Sequence, residues 1–281
     1  MANIYGREMK KADVLRYAGN LDQIAGIRHE EILDDRSRGI KVYNVNNSVI
    51  EYTLTESKAL DVFDFKYKGM GLCFKSKAGL VMPGTLDANG WNFLRAQASG
   101  GLIYSCGFSN VGLFGTSPKW GDYDMFHGRL RTLPATNLCA KTYWEGDDYY
   151  LSVSGEMREC GLFKENLAIR REVKTKLGSK SFTLCTEVEN EAFDETPIMH
   201  MLHVNSGFPL VDKDTKLIAI DGVQPNNTTV ADGSYKYHTY YYAVMRADEP
   251  EDSSARKVVD WILSDEGQQL AEDSGYVKLG K

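Results

Sequence analysis

No run of about 18 apolar residues occurs in the chain, so no helix is expected to cross a membrane. The opening residues, Met1-Ala-Asn-Ile-Tyr-Gly-Arg-Glu-Met-Lys-Lys11, lack the apolar core of a secretory signal, and the cytoplasm is the expected compartment. Also missing is any basic block or Lys/Arg stripe, and the net charge is −6; phosphate backbones need a clustered positive field, which excludes nucleic acid as a partner. Cysteine is scarce. Cys73, Cys106, Cys139, Cys160 and Cys185 are odd in number, far apart and set among apolar neighbours. That pattern excludes a disulfide frame and a zinc site, and predicts small buried hydrophobes in a reducing compartment. Neither metal nor cofactor is expected. Asn226 and Asn227 begin glycosylation-type triplets, which carry little weight without a secretion signal. Internal repeats and low-complexity tracts are absent.

What is present is a long stretch of period-two patterning, from about residue 38 to 211. Ile50, Tyr52 and Leu54 alternate with Val49, Glu51 and Thr53; Tyr149, Leu151 and Val153 alternate with Tyr150, Ser152 and Ser154. Leu167, Ile169, Arg171 and Val173 precede a turn at Leu177-Gly-Ser179, and Phe182, Leu184, Thr186 and Val188 follow it, which predicts a hairpin. Nothing helical and long enough for βαβ units separates these strands, so a mainly β antiparallel sandwich follows. A chain of 281 residues can bury the core such a sandwich needs.

The character changes within about 212–218. Ala255, Val258, Val259, Ile262 and Leu263 fall at helical spacing, with Ser253 or Ser254 as N-cap. A second helix, Asp265 to Glu272, is predicted with Ser264 as its cap and a stop near Gly275. Helix is thus expected mainly in the last thirty residues. Two modules result: a β-sandwich over 1–215 and a short α/β tail over 216–281.

Histidine is the other scarce residue, with five in the chain, yet three sit in two stretches that otherwise read as buried strand. These are Phe126-His-Gly-Arg-Leu-Arg-Thr-Leu-Pro-Ala135 and Met199-His-Met-Leu-His-Val-Asn-Ser-Gly-Phe-Pro209. Glycines at 100, 101, 107 and 128 allow the close backbone approach or positive φ that the floor of a site needs. Imidazoles exchange protons near neutral pH, and arginines offer a fork of donors to hydroxyl or anionic oxygen.

With Leu94-Arg95, Gly100-Gly-Leu-Ile-Tyr-Ser-Cys-Gly107, Arg16 to Gly26 and Glu165-Asn166, these stretches resemble the aldose-1-epimerase-like branch of the galactose-mutarotase-like proteins, in order and spacing over about residues 12–215. The resemblance implies a β-supersandwich whose concave face holds a monosaccharide or sugar derivative. It implies that His203 is the catalytic acid, that His127 bonds the sugar oxygen as it gains charge, and that Arg95, Arg129 and Asn205 bind hydroxyls. Arg95 and Arg129 can equally pair with a carboxylate such as Glu165 or Glu189. His200, three positions from His203, faces the other way and reads as structural; His29 and His238 read as surface residues.

In that family the base is a glutamate carried late in the chain, in a Glu-Pro-containing strand, and the expected strands do not follow Asp212. Residues 216–279 instead resemble the C-terminal end of phosphate-type ABC-transporter solute-binding proteins. Glu249-Pro250 is the one candidate for the missing element. Three readings therefore stand: an aldose 1-epimerase-type isomerase, a sugar-binding module without turnover, and a phosphate-type solute-binding fragment.

Overall fold

The computed structural model describes residues 2–83, 94, 98–108, 110–113, 115–116, 123–213, 222–236, 248–274 and 276–279. Contacts divide the chain into two compact units, Met1–Lys213 and Asp214–Lys281.

The first unit opens with a hairpin of β1 (Ala2–Ile4) and β2 (Arg7–Met9), followed by helix α1 (Lys11–Tyr17). A five-stranded antiparallel sheet comes next, in the order β3 (Gly26–Glu31), β4 (Lys41–Asn46), β5 (Ile50–Thr55), β6 (Asp61–Tyr67) and β7 (Met70–Gly71). After it run β8 (Ile103–Phe108) and the short pair β9 (Gly115–Thr116) and β10 (Tyr123–Asp124). The second sheet is a meander of β11 (Thr136–Glu145), β12 (Asp148–Cys160), β13 (Asn166–Lys176) and β14 (Phe182–Asn190). Finally β15 (Met199–Val204) pairs antiparallel with β8.

Alternation explains the core. In β5, Ile50, Tyr52 and Leu54 are buried while Glu51 is exposed; in β13, Leu167, Ile169 and Val173 are buried. The two large sheets join these rows, with Val45, Tyr52, Leu54 and Val62 from one and Leu151, Val153, Met157 and Ile169 from the other in a single cluster. Each fully buried aliphatic side chain stabilises the sandwich by roughly 1.5–3 kcal/mol. The hairpin at 177–179 forms as its sequence requires: Gly178 takes φ +78° and its N–H donates to the Asn47 carbonyl at 2.9 Å. Arg171 sits in the apolar row of β13 because Asp61 meets it there, at 3.0 Å, with Ser105 and the Ala59 carbonyl accepting as well.

The cysteines depart from expectation. Cys73 and Cys106 are buried, but Cys139, Cys160 and Cys185 are exposed. A strand with one buried face has an outward one, and Cys139 and Cys185 stand there, opposite Ser154 and Glu172. Helix α1 also lies outside the tail; it turns one residue, Val14, into the core, too little to make a periodic pattern.

The second unit contains α2 (Asn227–Ala231), α3 (Ser254–Leu263) and α4 (Asp265–Asp273). The caps are the serines that spacing predicts. Ser253 Oγ accepts from Arg256 N–H at 3.1 Å, and Ser264 Oγ accepts from Gly267 N–H at 3.2 Å. Leu217 to Asp221, Tyr240 to Met245, His238 and Gly275 lie outside the described residues. Among the described residues no helix is long and apolar enough to cross a membrane.

Candidate active site

Register on β15 decides which way each histidine faces. His203 stands opposite Tyr104 and His200 opposite Gly107. The His200 ring stacks on Phe108, which belongs to the main core, with centroids 4.9 Å apart. His203 lies against His127, with ring centroids 6.0 Å apart and the rings inclined by 58°. The reversal over three positions therefore holds, and the two histidines proposed for chemistry come together.

His127 is held from every side. Its backbone takes φ +59°, its N–H donates to the Gly112 carbonyl at 2.9 Å, and its own carbonyl accepts from Gly107 N–H at 3.1 Å. The next residue must be glycine: Gly128 has φ +75°, and a Cβ there would press on the carbonyls of Gly107 and Asn110. The ring packs on Phe126 at 4.0 Å, meets the edge of Tyr104 at 6.3 Å, and places Nδ1 2.7 Å from the Val111 carbonyl. Burial lowers its pKa, against the Val111 hydrogen bond, and the charges of His203 and Arg131 lower it further. Its surroundings therefore favour the neutral imidazole.

Asn205 follows β15 directly. Its N–H donates to the Leu102 carbonyl at 2.9 Å and its carbonyl accepts from Phe74 N–H at 3.0 Å. The side-chain amide lies 3.0 Å from the Gly101 carbonyl and 2.7 Å from His203 Nδ1. Arg129 makes the carboxylate pairing that its sequence left open. Its Nε donates to Glu159 at 3.3 Å and Nη2 donates to Glu165, both carboxylates being buried. Burial alone would lower the Arg129 pKa; the two glutamates outweigh it and raise it.

Arg95 lies outside the described residues. Glu249 is half-buried in the second unit. His29 is a surface residue stacked on Tyr43 at 4.3 Å and bonded to Glu56 at 2.9 Å. Among the described residues no cluster of His, Cys, Asp or Glu could hold a metal ion.

Sequence reasoning passed over Tyr104 and Arg131. Tyr104, Cys106 and Phe126 form a small buried cluster under His127. Arg131 is buried behind it, donating from Nε to the Phe126 carbonyl at 3.1 Å. Period two from Leu102 pairs Tyr104 with Cys106 on one face, but nothing in the sequence brings Arg131 to them. Burial pushes the Cys106 thiol up to about 12, so it is no nucleophile. A groove of about 470 Å³ lies elsewhere, against β3 to β6. Several of its polar side chains bond one another, Arg28 with Asp22 at 2.8 Å and Asn44 with Glu30 and Thr53 at 2.7 Å, and no imidazole lines it. The histidine pair is the better site for proton transfer.

A family model described as Domain of unknown function (DUF4432) matches residues 37–265. Among solved structures the chain is similar to a candidate aldose 1-epimerase from Klebsiella pneumoniae, with 19% identity and a TM-score of 0.63, over 76% of this chain and 56% of that one. It is also similar to a galactose mutarotase-like protein from Clostridium acetobutylicum, with 17% identity and a TM-score of 0.43, over 68% and 56%. The chain thus spans 56% of the length of each. No curated protein matches. The first likeness shows the fold, a mainly β, mutarotase-like sandwich. The family match runs through residue 215 into the tail, and no comparison supports the likeness of 216–279 to solute-binding proteins.

Proposed function

The chain belongs to the DUF4432 family, whose description states no function, and we propose that it acts on sugars as an aldose 1-epimerase-type isomerase. The observation that carries this reading is the histidine pair: two imidazoles 6.0 Å apart, one partly buried and one exposed, on a mutarotase-like sandwich.

Exchange of anomers requires the ring to open. A base takes the proton of the C1 hydroxyl while an acid protonates the ring oxygen, the C1–O bond breaks and a carbonyl forms. Rotation about C1–C2 presents the other face of the carbonyl, and the reverse transfers close the ring. His203 is the acid, reached from solvent, and a histidine suits that role because it changes charge near neutral pH. His127, whose Nδ1–H is committed to the Val111 carbonyl, offers its Nε2 lone pair as an acceptor to a sugar hydroxyl. Arg95 is assigned to sugar hydroxyls. Arg129 can offer its Nη1 edge alone, since Nε and Nη2 are committed to Glu159 and Glu165. Glu249, the candidate base offered by the sequence, belongs to the second unit.

One observation favours a second reading. Among the described residues, no carboxylate bonds either imidazole. A sugar-binding module without turnover has the same pair and no base. Magnetisation-exchange NMR between the two anomeric protons of equilibrated D-glucose and D-galactose separates the readings, alongside calorimetric titration with the same sugars. Exchange accelerated by the protein supports the isomerase; binding heat with no accelerated exchange supports the binding module; neither effect with any aldose refutes both.

A further inference from the structure

We infer that Asn205 is a positioning residue that holds His203 in its Nδ1–H tautomer and leaves Nε2 as the nitrogen that meets the sugar. This rests on the acid role given above to His203, but its physical basis is separate.

A carbonyl oxygen can only accept, so the atom of the Asn205 amide that faces the Gly101 carbonyl at 3.0 Å is the nitrogen. The other amide atom is then the oxygen, and it faces His203 Nδ1 at 2.7 Å. That oxygen also only accepts, so Nδ1 carries the proton. Neutral imidazole has one N–H, and Nε2 is left with its lone pair. Among the described residues Nε2 has no hydrogen-bond partner, and His203 is exposed.

The anchor is rigid for reasons visible in the sequence. Gly101 has φ +109°, and a Cβ there would lie 3.1 Å from Phe63 Cα and 3.2 Å from the Val62 carbonyl. Glycine lets this strand entry lie against β6, which fixes the carbonyl that orients the amide. Asn205 is fixed in turn by its backbone bonds to Leu102 and Phe74. The Val111 carbonyl imposes the same tautomer on His127, at 2.7 Å.

The consequence is chemical. When protonated His203 gives its Nε2 proton to the ring oxygen, the tautomer left behind is the one Asn205 already stabilises. No proton has to move within the imidazole between ring opening and closure. The groups that face His203 are Tyr104 across the ladder and His127 beside it, with the buried Arg131 charge behind His127; none of these can accept from Nδ1 in place of Asn205 in the observed arrangement.

Long-range ¹H–¹⁵N correlation of the histidine rings, at a pH where His203 is neutral, reads the tautomer directly. The wild-type protein should show Nδ1 protonated and Nε2 bare. Asn205→Ala should move His203 toward the Nε2–H form, and Asn205→Asp, which keeps the accepting oxygen, should retain Nδ1–H. Asn205→Ala should lower kcat by about ten- to a hundred-fold with KM little changed, as removal of an imidazole-orienting partner does elsewhere. An Nε2–H wild-type His203, or a tautomer indifferent to Asn205→Ala, overturns the assignment. If the wild-type protein shows no anomer exchange, the isomerase reading fails while the ring spectrum still decides the role of Asn205.

Discussion

His127 and His203 stand 6.0 Å apart, ring centroid to ring centroid, although one comes from a left-handed turn and the other from the last strand of the sandwich. At that distance two unit charges repel by about 0.7 kcal/mol even in bulk water. His127 already titrates below its ordinary value because it is buried, and protonated His203 lowers it further. Replacing His203 with alanine should therefore raise the His127 pKa, read by NMR titration of the ring. An unchanged or lower value would show that the two imidazoles do not sense each other.

Lys58 gives a pH dependence of stability whose sign can be worked out. Its ammonium is buried beside Ser99 Oγ at 3.0 Å, and burial pushes its pKa from 10.5 down to about 8, with Asp61 opposing and Arg131 adding. The folded protein thus releases this proton before the unfolded chain does. Between about 8 and 10.5 the unfolded state binds more protons, so the Lys58 contribution makes stability rise with pH. The rise is at most roughly 3 kcal/mol. Cys106, whose thiol burial raises from 9.0 to about 12, and Tyr52, whose phenol is raised by burial, act in the opposite direction as unfolded-state thiols and then phenols ionise. Urea unfolding across the lower part of this window should show a slope that Lys58→Met makes clearly less positive than in the wild-type protein. An identical slope in the variant would contradict the assignment.

The Arg171–Asp61 pair should be costly to break and cheaper to remove whole. Both side chains are buried, and Asp61 also accepts from Ser105 N–H at 2.9 Å and Oγ at 2.5 Å. Arg171→Met alone leaves a buried carboxylate, and should destabilise by roughly 3–5 kcal/mol. The double variant with Asp61→Leu should lose clearly less than the sum of the two single losses in denaturant unfolding. Additive losses would mean that the pair is not coupled.

These positions show how far the sequence is legible. Ile50, Tyr52 and Leu54, the hairpin around Gly178, and the caps Ser253 and Ser264 could all be read because each depends on neighbours a few residues away. The convergence of His127 and His203 came through family resemblance, not periodicity. Cys139, Cys160 and Cys185 were misjudged because a small side chain does not declare which face of a half-buried strand it occupies. The family resemblance implies Asn205 as a sugar ligand; that its amide spans Gly101 and His203 is not legible, because the Gly101 contact joins residues over a hundred positions apart, which no local pattern encodes. Arg129 was ambiguous for a related reason: Glu159 and Glu165 reach it only once β12 and β13 have paired.

The central claim is that His203 transfers a proton to a sugar ring, and polarimetry of freshly dissolved α-D-glucose and α-D-galactose tests it most directly. The wild-type protein should speed the decay of optical rotation, and His203→Ala should lose most of that acceleration, by about 10²–10⁴-fold if acid and base are both in place. Rotation that decays at the same accelerated rate in wild-type protein and in His203→Ala would contradict the account.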